Sequence, residues 1–267
     1  MKDAIFIAGP AGTGKSSLCG SLKEWYTKEG MNVAIVNLDP GAEYIPYEAD
    51  VDVREWISIS QIMSEFNLGP NGAQIVAADL IIENIQNIKD LLEELDDYHI
   101  IFDTPGQIEL FTFRTSSPLI VESLGGKKSM IGFVADSAVS ASPSGHISQK
   151  LLYASVLTRF YKPTLFLLNK FDILDEEMRK SILSWEEDPD ALINALMDEK
   201  VDSRKDYYYN IVKSFAESGL STKIMPVSAK NMEGLEDIYT EMSFFASGGE
   251  DDDTMYREED YEKDEDE

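Results

Sequence analysis

One cysteine, two histidines and few basic residues narrow the chemistry open to this chain of 267 residues before any motif is considered. With Cys19 alone, neither an internal disulfide nor a cysteine metal cluster can form, which fits a reducing, cytoplasmic setting. Cys19 falls inside the helix expected after a glycine-rich loop, so it reads as a small core residue and not a nucleophile. His99 opens an expected strand and His146 an expected helix, which makes a histidine-based catalytic centre a poor candidate. The apolar run Ala4 to Ala8 is too short for a signal peptide and runs straight into glycine. No uncharged apolar stretch is long enough to cross a bilayer, so no membrane role is expected. Lysine and arginine number 23 against 50 acidic residues, a net charge of −27. Of these, 12 acidic and two basic residues lie between Gly249 and Glu267, which leaves 38 and 21 for the body. An acidic body repels phosphate backbones, so direct nucleic-acid binding is not expected.

What the chain does contain is a regular alternation of apolar runs and amphipathic segments. Ala4 to Ala8, Asn32 to Leu38, His99 to Asp103, Ser129 to Asp136, Thr164 to Asn169 and Ile224 to Val227 read as buried strands. Helices are expected at Gly14 to Glu29, Val53 to Phe66, Ala77 to Asp97, about 145 to 160, and Glu233 to Phe245. Leu68-Gly-Pro-Asn-Gly72 reads as a break between the second and third of these. From about 174 to 219 the pattern is helical and polar, interrupted at Pro189. Strands alternating with helices predict a mostly parallel sheet flanked by helices, the three-layer α/β architecture of P-loop proteins with helical insertions. We therefore expect one domain over residues 1–248. The tail from Gly249 has no aliphatic side chain but Met255 and should be disordered.

Three short motifs sit at strand ends. Gly9-Pro-Ala-Gly-Thr-Gly-Lys-Ser16 fits the G-x-x-x-x-G-K-[ST] phosphate loop, with a strand before it and a helix after it. The amides of Ala11, Gly12, Thr13 and Gly14, with those of Lys15, Ser16 and Ser17 at the helix start, are placed to wrap phosphate. Lys15 should reach the β- and γ-phosphates and the Ser16 hydroxyl should bind Mg²⁺. Asp103-Thr-Pro-Gly106 leaves the third strand, where such folds place the aspartate that organises Mg²⁺, and Gly106 can bring its amide to the γ-phosphate. Asn169-Lys-Phe-Asp172 leaves the fifth strand. The Asp172 carboxylate can accept from the guanine N1–H and exocyclic amine, a donor pair that adenine lacks. Asn169 would brace that loop, and the stem of Lys170 would cover the base. Ser228-Ala229-Lys230 supplies a companion loop whose Ala229 amide meets the guanine oxygen. Together these favour GTP over ATP.

These motifs, with Asn37-Leu-Asp-Pro40, Gly69-Pro-Asn71 and Gln107 after Gly106, resemble the GPN-loop GTPases over nearly the whole chain up to about Phe245. The length and acidic tail look more like an archaeal-type single member. The resemblance implies a homodimer, in which Asn71, with Gly69 and Pro70, completes the neighbouring subunit's active site. It also implies that Asp39 is a switch aspartate, a candidate to orient or deprotonate the attacking water and a third metal-site residue beside Ser16 and Asp103. Gln107 and Glu109 fall in the following switch, with Gln107 the better candidate for positioning water. Arg114, a few residues further on, receives no role. By the same resemblance the output is assembly of a macromolecular complex, with RNA polymerase or its assembly factors as protein partners. Two other readings stay open: a nucleotide-gated scaffold with little turnover, and a P-loop kinase, which would need an adenine site.

Overall fold

All six apolar runs read as strands are strands in the computed structural model of the chain, which describes residues 1–199, 205–217 and 223–248. They are β1 (Asp3–Ala8), β2 (Val33–Asn37), β4 (His99–Asp103), β5 (Ser129–Asp136), β6 (Thr164–Asn169) and β7 (Ile224–Pro226). A seventh, the two-residue edge strand β3 (Val51–Asp52), pairs Val51 with Val36 and Asp52 with Asn37 and is too short to give a sequence pattern. All pairings in this sheet are parallel, in the order β3-β2-β4-β1-β5-β6-β7. The chain leaves β1 for one half of the sheet and later fills the other half. The crevice at the carboxyl end of β1 is therefore the switch point where such sheets bind ligands.

Alternation along β1 divides the core. Ala4, Phe6 and Ala8 face one layer of helices, and Ile5 and Ile7 face the other. On the first side Phe6 stacks on Phe102 with ring centres 4.2 Å apart, and Phe133 stacks on Phe166 at 5.6 Å. On the second, Leu18, Leu22 and Tyr26 of α1 (Lys15–Lys28) pack with Ile238 and Met242 of the last helix. This is the three-layer P-loop fold.

Two helix expectations need correction. The segment read as one helix from Val53 to Phe66 opens with a single 3₁₀ turn, Val53–Glu55, because the Asp52 side chain accepts from the Arg54 amide and ends the strand there. Ser58 then caps a separate helix, α2 (Ile59–Phe66). The Gly-Pro-Asn break is a helix start. Pro70 occupies the first turn of α3 (Pro70–Glu83), where its missing N–H costs nothing. That helix begins seven residues earlier than read and stops at Asn84, whose side chain donates to the Leu80 carbonyl before α4 (Ile85–Glu93) begins. Short helices α5 (Ile108–Phe111), α6 (Ser117–Gly125) and α7 (Ser137–Ser140) follow β4 and β5 and were not read from the sequence. Next come α8 (Pro143–Phe160), α9 (Glu176–Glu187), α10 (Pro189–Asp198), α11 (Lys205–Glu217) and α12 (Leu235–Ala246). The break expected at Pro189 is the boundary between α9 and α10. The acidic tail from Gly249 lies outside the described residues. No helix among them is long and apolar enough to cross a membrane.

Candidate functional site

The phosphate loop leaves β1 through a position that only glycine fits. Gly9 has φ +150°, and a Cβ there would lie 2.4 Å from the Val134 carbonyl oxygen on β5. At the other end Gly14 has φ +90°, and a Cβ would meet Asn169 Nδ2 at 2.6 Å. The Thr13 hydroxyl donates to the Pro10 carbonyl at 3.0 Å and closes the loop on itself. The helix that follows, α1, has no side-chain cap and no acid in its first turn. Its amides thus remain uncommitted to side chains, at the end of the helix that favours anions. Ala11, Gly12 and Ser17 are exposed along this rim, and Gly14 and Ser16 half-buried.

Lys15 is buried, and its ammonium donates to three carbonyls: Gly9 at 2.9 Å, Pro10 at 3.0 Å and Gly106 at 2.7 Å. Burial lowers its pKa, and the nearby charges of Asp103 and Asp39 oppose that shift. Asp103, at the end of β4, is 1% exposed. Its Oδ2 accepts from the Tyr47 phenol at 2.7 Å, whereas Oδ1 is buried without a hydrogen-bond partner. Burial pushes the Asp103 carboxyl above the ordinary aspartate range. The Ser16 and Tyr47 hydroxyls and Lys15 pull it back, the Ser16 hydroxyl being near without meeting hydrogen-bond geometry. An orphaned buried carboxylate oxygen beside a serine hydroxyl and a second aspartate is a hard-oxygen donor set that suits Mg²⁺. Among the described residues no group of three or more histidine, cysteine or acidic side chains forms a metal cage.

The two segments expected to act as switches meet at one carboxylate. Asp39 Oδ1 accepts from the Gly41 amide and Oδ2 from the Gly106 amide, both at 2.8 Å. The amide expected near a γ-phosphate is thus bonded to Asp39, and the carbonyl of the same residue to Lys15. Gln107 is exposed, and its Nε2 donates to Gln74 Oε1 at 3.3 Å. Gln74 lies on α3, one turn beyond Asn71. Glu109 is exposed on α5 and is not drawn into this group. Gly69, Pro70 and Asn71 are exposed at the start of α3. Arg114 forms an ion pair with Asp79 of α3, its Nε lying 3.0 Å from Oδ1.

At the carboxyl end of β6 the base loops are locked to the phosphate loop. Asn169 Nδ2 donates to the Thr13 carbonyl at 2.9 Å, and its Oδ1 accepts from the Ala229 amide at 3.1 Å. The Ala229 amide expected to meet the guanine oxygen is thus bonded to Asn169. Lys170 has φ +62°, and its ammonium donates to the Gly12 carbonyl at 2.6 Å and to Asp136 at 2.7 Å. Asp172 accepts from the Ser228 hydroxyl at 2.7 Å through Oδ1. Asn169, Lys170, Asp172 and Ala229, with Ile173 and Lys230, line an open cavity of about 350 Å³ beside Gly14 and Ser17. The three residues expected at the base, Asp172, Lys170 and Ala229, thus share one hollow that opens onto the phosphate loop.

Sequence reading missed Tyr47, Gln74 and Asp136. Asp136 ends β5, so its place at the carboxyl end of a central strand could have flagged it. Tyr47 lies in an irregular segment and Gln74 inside a helix, where nothing in the sequence sets them apart.

A family model described as a conserved hypothetical ATP-binding protein matches residues 7–245. The GPN-loop GTPase 3 of Kluyveromyces lactis is 30% identical over 242 residues, 88% of each chain. That of Saccharomyces cerevisiae is 29% identical over 244 residues, also 88% of each. A GTPase from Pyrococcus abyssi, solved in its apo form, superposes with a TM-score of 0.79 at 29% identity, covering 90% of this chain and 96% of that one.

Proposed function

The chain belongs to the GPN-loop GTPases, GTP-binding enzymes, and on that premise we propose that it works as a Mg²⁺-dependent, homodimeric GTP switch. The observation that carries this reading is the base hollow. Asp172, oriented by Ser228, stands where a guanine edge offers two donors, and the hollow opens directly onto the uncapped start of α1. The family model's description speaks of ATP, but an adenine in the same place would leave the Asp172 carboxylate facing no donor pair, which is costly.

In this reading the amides from Ala11 to Ser17 bind the phosphates, and Lys15 turns from the loop carbonyls toward the β- and γ-oxygens. Ser16 and Asp103 would hold Mg²⁺, with Asp39 close by. The ion, when bound, neutralises charge on the phosphate oxygens and favours in-line attack. Water attacks the γ-phosphorus and the β–γ bridging oxygen leaves with GDP. Asp39 orients the water and accepts its proton, and Gln107 positions it; Glu109 has a lesser part. The exposed Gly69-Pro70-Asn71 corner is presented to a second copy of the chain, whose γ-phosphate Asn71 then contacts. Turnover releases the two switches and changes the dimer's shape. We place the protein in the cytoplasm, with assembly of a larger protein complex, RNA polymerase by family resemblance, as its output.

Calorimetry with GTP, GDP and ATP tests the core of this proposal. GTP and GDP should bind in the presence of Mg²⁺ and ATP at least about a hundredfold more weakly. A preference for ATP would end it. The output is tested by a pull-down from extract with protein loaded with a non-hydrolysable GTP analogue against the GDP form. RNA polymerase subunits should be retained by one form only.

A further inference from the structure

Asp103 is fixed at one oxygen only. Its Oδ2 accepts from the Tyr47 phenol at 2.7 Å, and its Oδ1 is buried with no hydrogen-bond partner. A carboxylate held this way cannot rotate freely about its last bond, so the unbonded oxygen keeps one direction. Tyr47 does not come from β4 or from the phosphate loop. It belongs to the segment of residues 38–50 that leaves β2 after Asn37, passes through Asp39 and returns at β3.

That segment is anchored just after the tyrosine. Lys23 on α1 donates to the Glu48 carbonyl at 2.9 Å and to Asp50 at 2.7 Å, and Asp50 also accepts from the Ile35 amide at 2.8 Å. The ring itself lies across α1 at Gly20. A Cβ there would sit at ordinary contact distance, 3.6 Å from both the Pro46 oxygen and Tyr47 Cβ, so the tyrosine packs closely on this helix.

We propose that Tyr47 is a positioning residue for the magnesium site. It holds Asp103 Oδ2 so that Oδ1 is presented toward Ser16 and the cation, and it ties that site to the first switch segment. The role rests on the reading that the nucleotide is bound as its Mg²⁺ complex.

The test uses the full chain carrying Tyr47→Phe, which removes one hydroxyl and keeps the ring. Retention of a fluorescent GDP analogue is followed while Mg²⁺ is titrated, and GTP turnover is measured across the same range. In the variant the half-saturating Mg²⁺ concentration should rise about tenfold, as expected for a lost hydrogen bond to a charged group. Turnover at saturating Mg²⁺ should approach that of the parent, and analogue affinity in EDTA should be the same for both. Tyr47→Leu, which also removes the ring, should weaken the analogue with or without Mg²⁺. If Tyr47→Phe leaves the Mg²⁺ midpoint in place while the parent shows a clear one, the positioning role is wrong and the magnesium reading stands. The role is equally wrong if Tyr47→Phe matches Tyr47→Leu in EDTA, since that marks packing alone. A parent protein indifferent to Mg²⁺ would overturn both.

Discussion

The base side and the switch side of the nucleotide site are built to different standards. On the base side each polar group is tied to another part of the chain: Asn169 to Thr13 and Ala229, Lys170 to Gly12 and Asp136, Asp172 to Ser228. On the switch side the groups that would touch a γ-phosphate are held by one another, as Gly106 is by Asp39 and Lys15, or project into solvent, as Asn71 and Glu109 do. A hollow braced in advance costs little to fill, so the base loops should set affinity. A side whose bonds must be exchanged should set the rate.

The strongest way to break this division is Asp39→Ala. Turnover should fall about 10²- to 10³-fold, as for loss of a positioned base, while GDP affinity changes less than about threefold by calorimetry. A large loss of GDP affinity would mean that Asp39 braces the pocket. Next in size is Asp172→Asn. GTP and GDP should both weaken about a hundredfold with turnover at saturation nearly kept, and xanthine nucleotides, which present an acceptor in place of the amine, should gain. Equal loss of all purines would instead mean that the loop has collapsed.

Asn71→Ala should lower turnover about tenfold without changing GTP affinity, in line with one lost transition-state contact. Mixing it with Lys15→Ala subunits sharpens the point. In a mixed dimer the Asn71→Ala subunit keeps an intact phosphate loop and receives an intact Asn71, so activity should recover above either variant alone. No recovery would show that Asn71 serves its own subunit. Smallest should be Glu186→Gln, remote from both sides. Burial alone would raise the Glu186 pKa, but the His146 hydrogen bond and the Lys150 charge outweigh it and hold it below the usual value. A lowered pKa in the folded state stabilises the protein above the unfolded glutamate pKa of about 4.3 and is lost as pH falls through the folded value. The parent's melting temperature should therefore drop more steeply in acid than the variant's, with GTP turnover near neutral pH unaltered.

Most of this division could be read in the chain because strands end where chemistry begins. Gly9, Asp103, Asn169 and Ser228 each stand at or just beyond the end of an apolar run, so the runs located these residues in the fold. The same logic failed where no strand marked the place. Pro70 read as a break because proline both stops helices and starts them, and only packing on α2 decides between the two. The helix expected from Val53 to Phe66 kept an apolar period across Trp56, which hides the caps at Asp52 and Ser58 that divide it. Tyr47 acts through a contact 56 positions away in sequence, with Asp103, and local periodicity carries no trace of such a bond.

The amide of Gly106 has a single hydrogen to give, and here it is given to Asp39. An incoming anion that takes it must evict a carboxylate of like charge, so the two tenancies exclude each other. On the reading proposed above, with Gly106 as a γ-phosphate donor and Asp39 as the general base, capture of the third phosphate and release of the Asp39 side chain toward water are for that reason one event and not two. Such a chain would need no separate signal to tell that base that substrate has arrived.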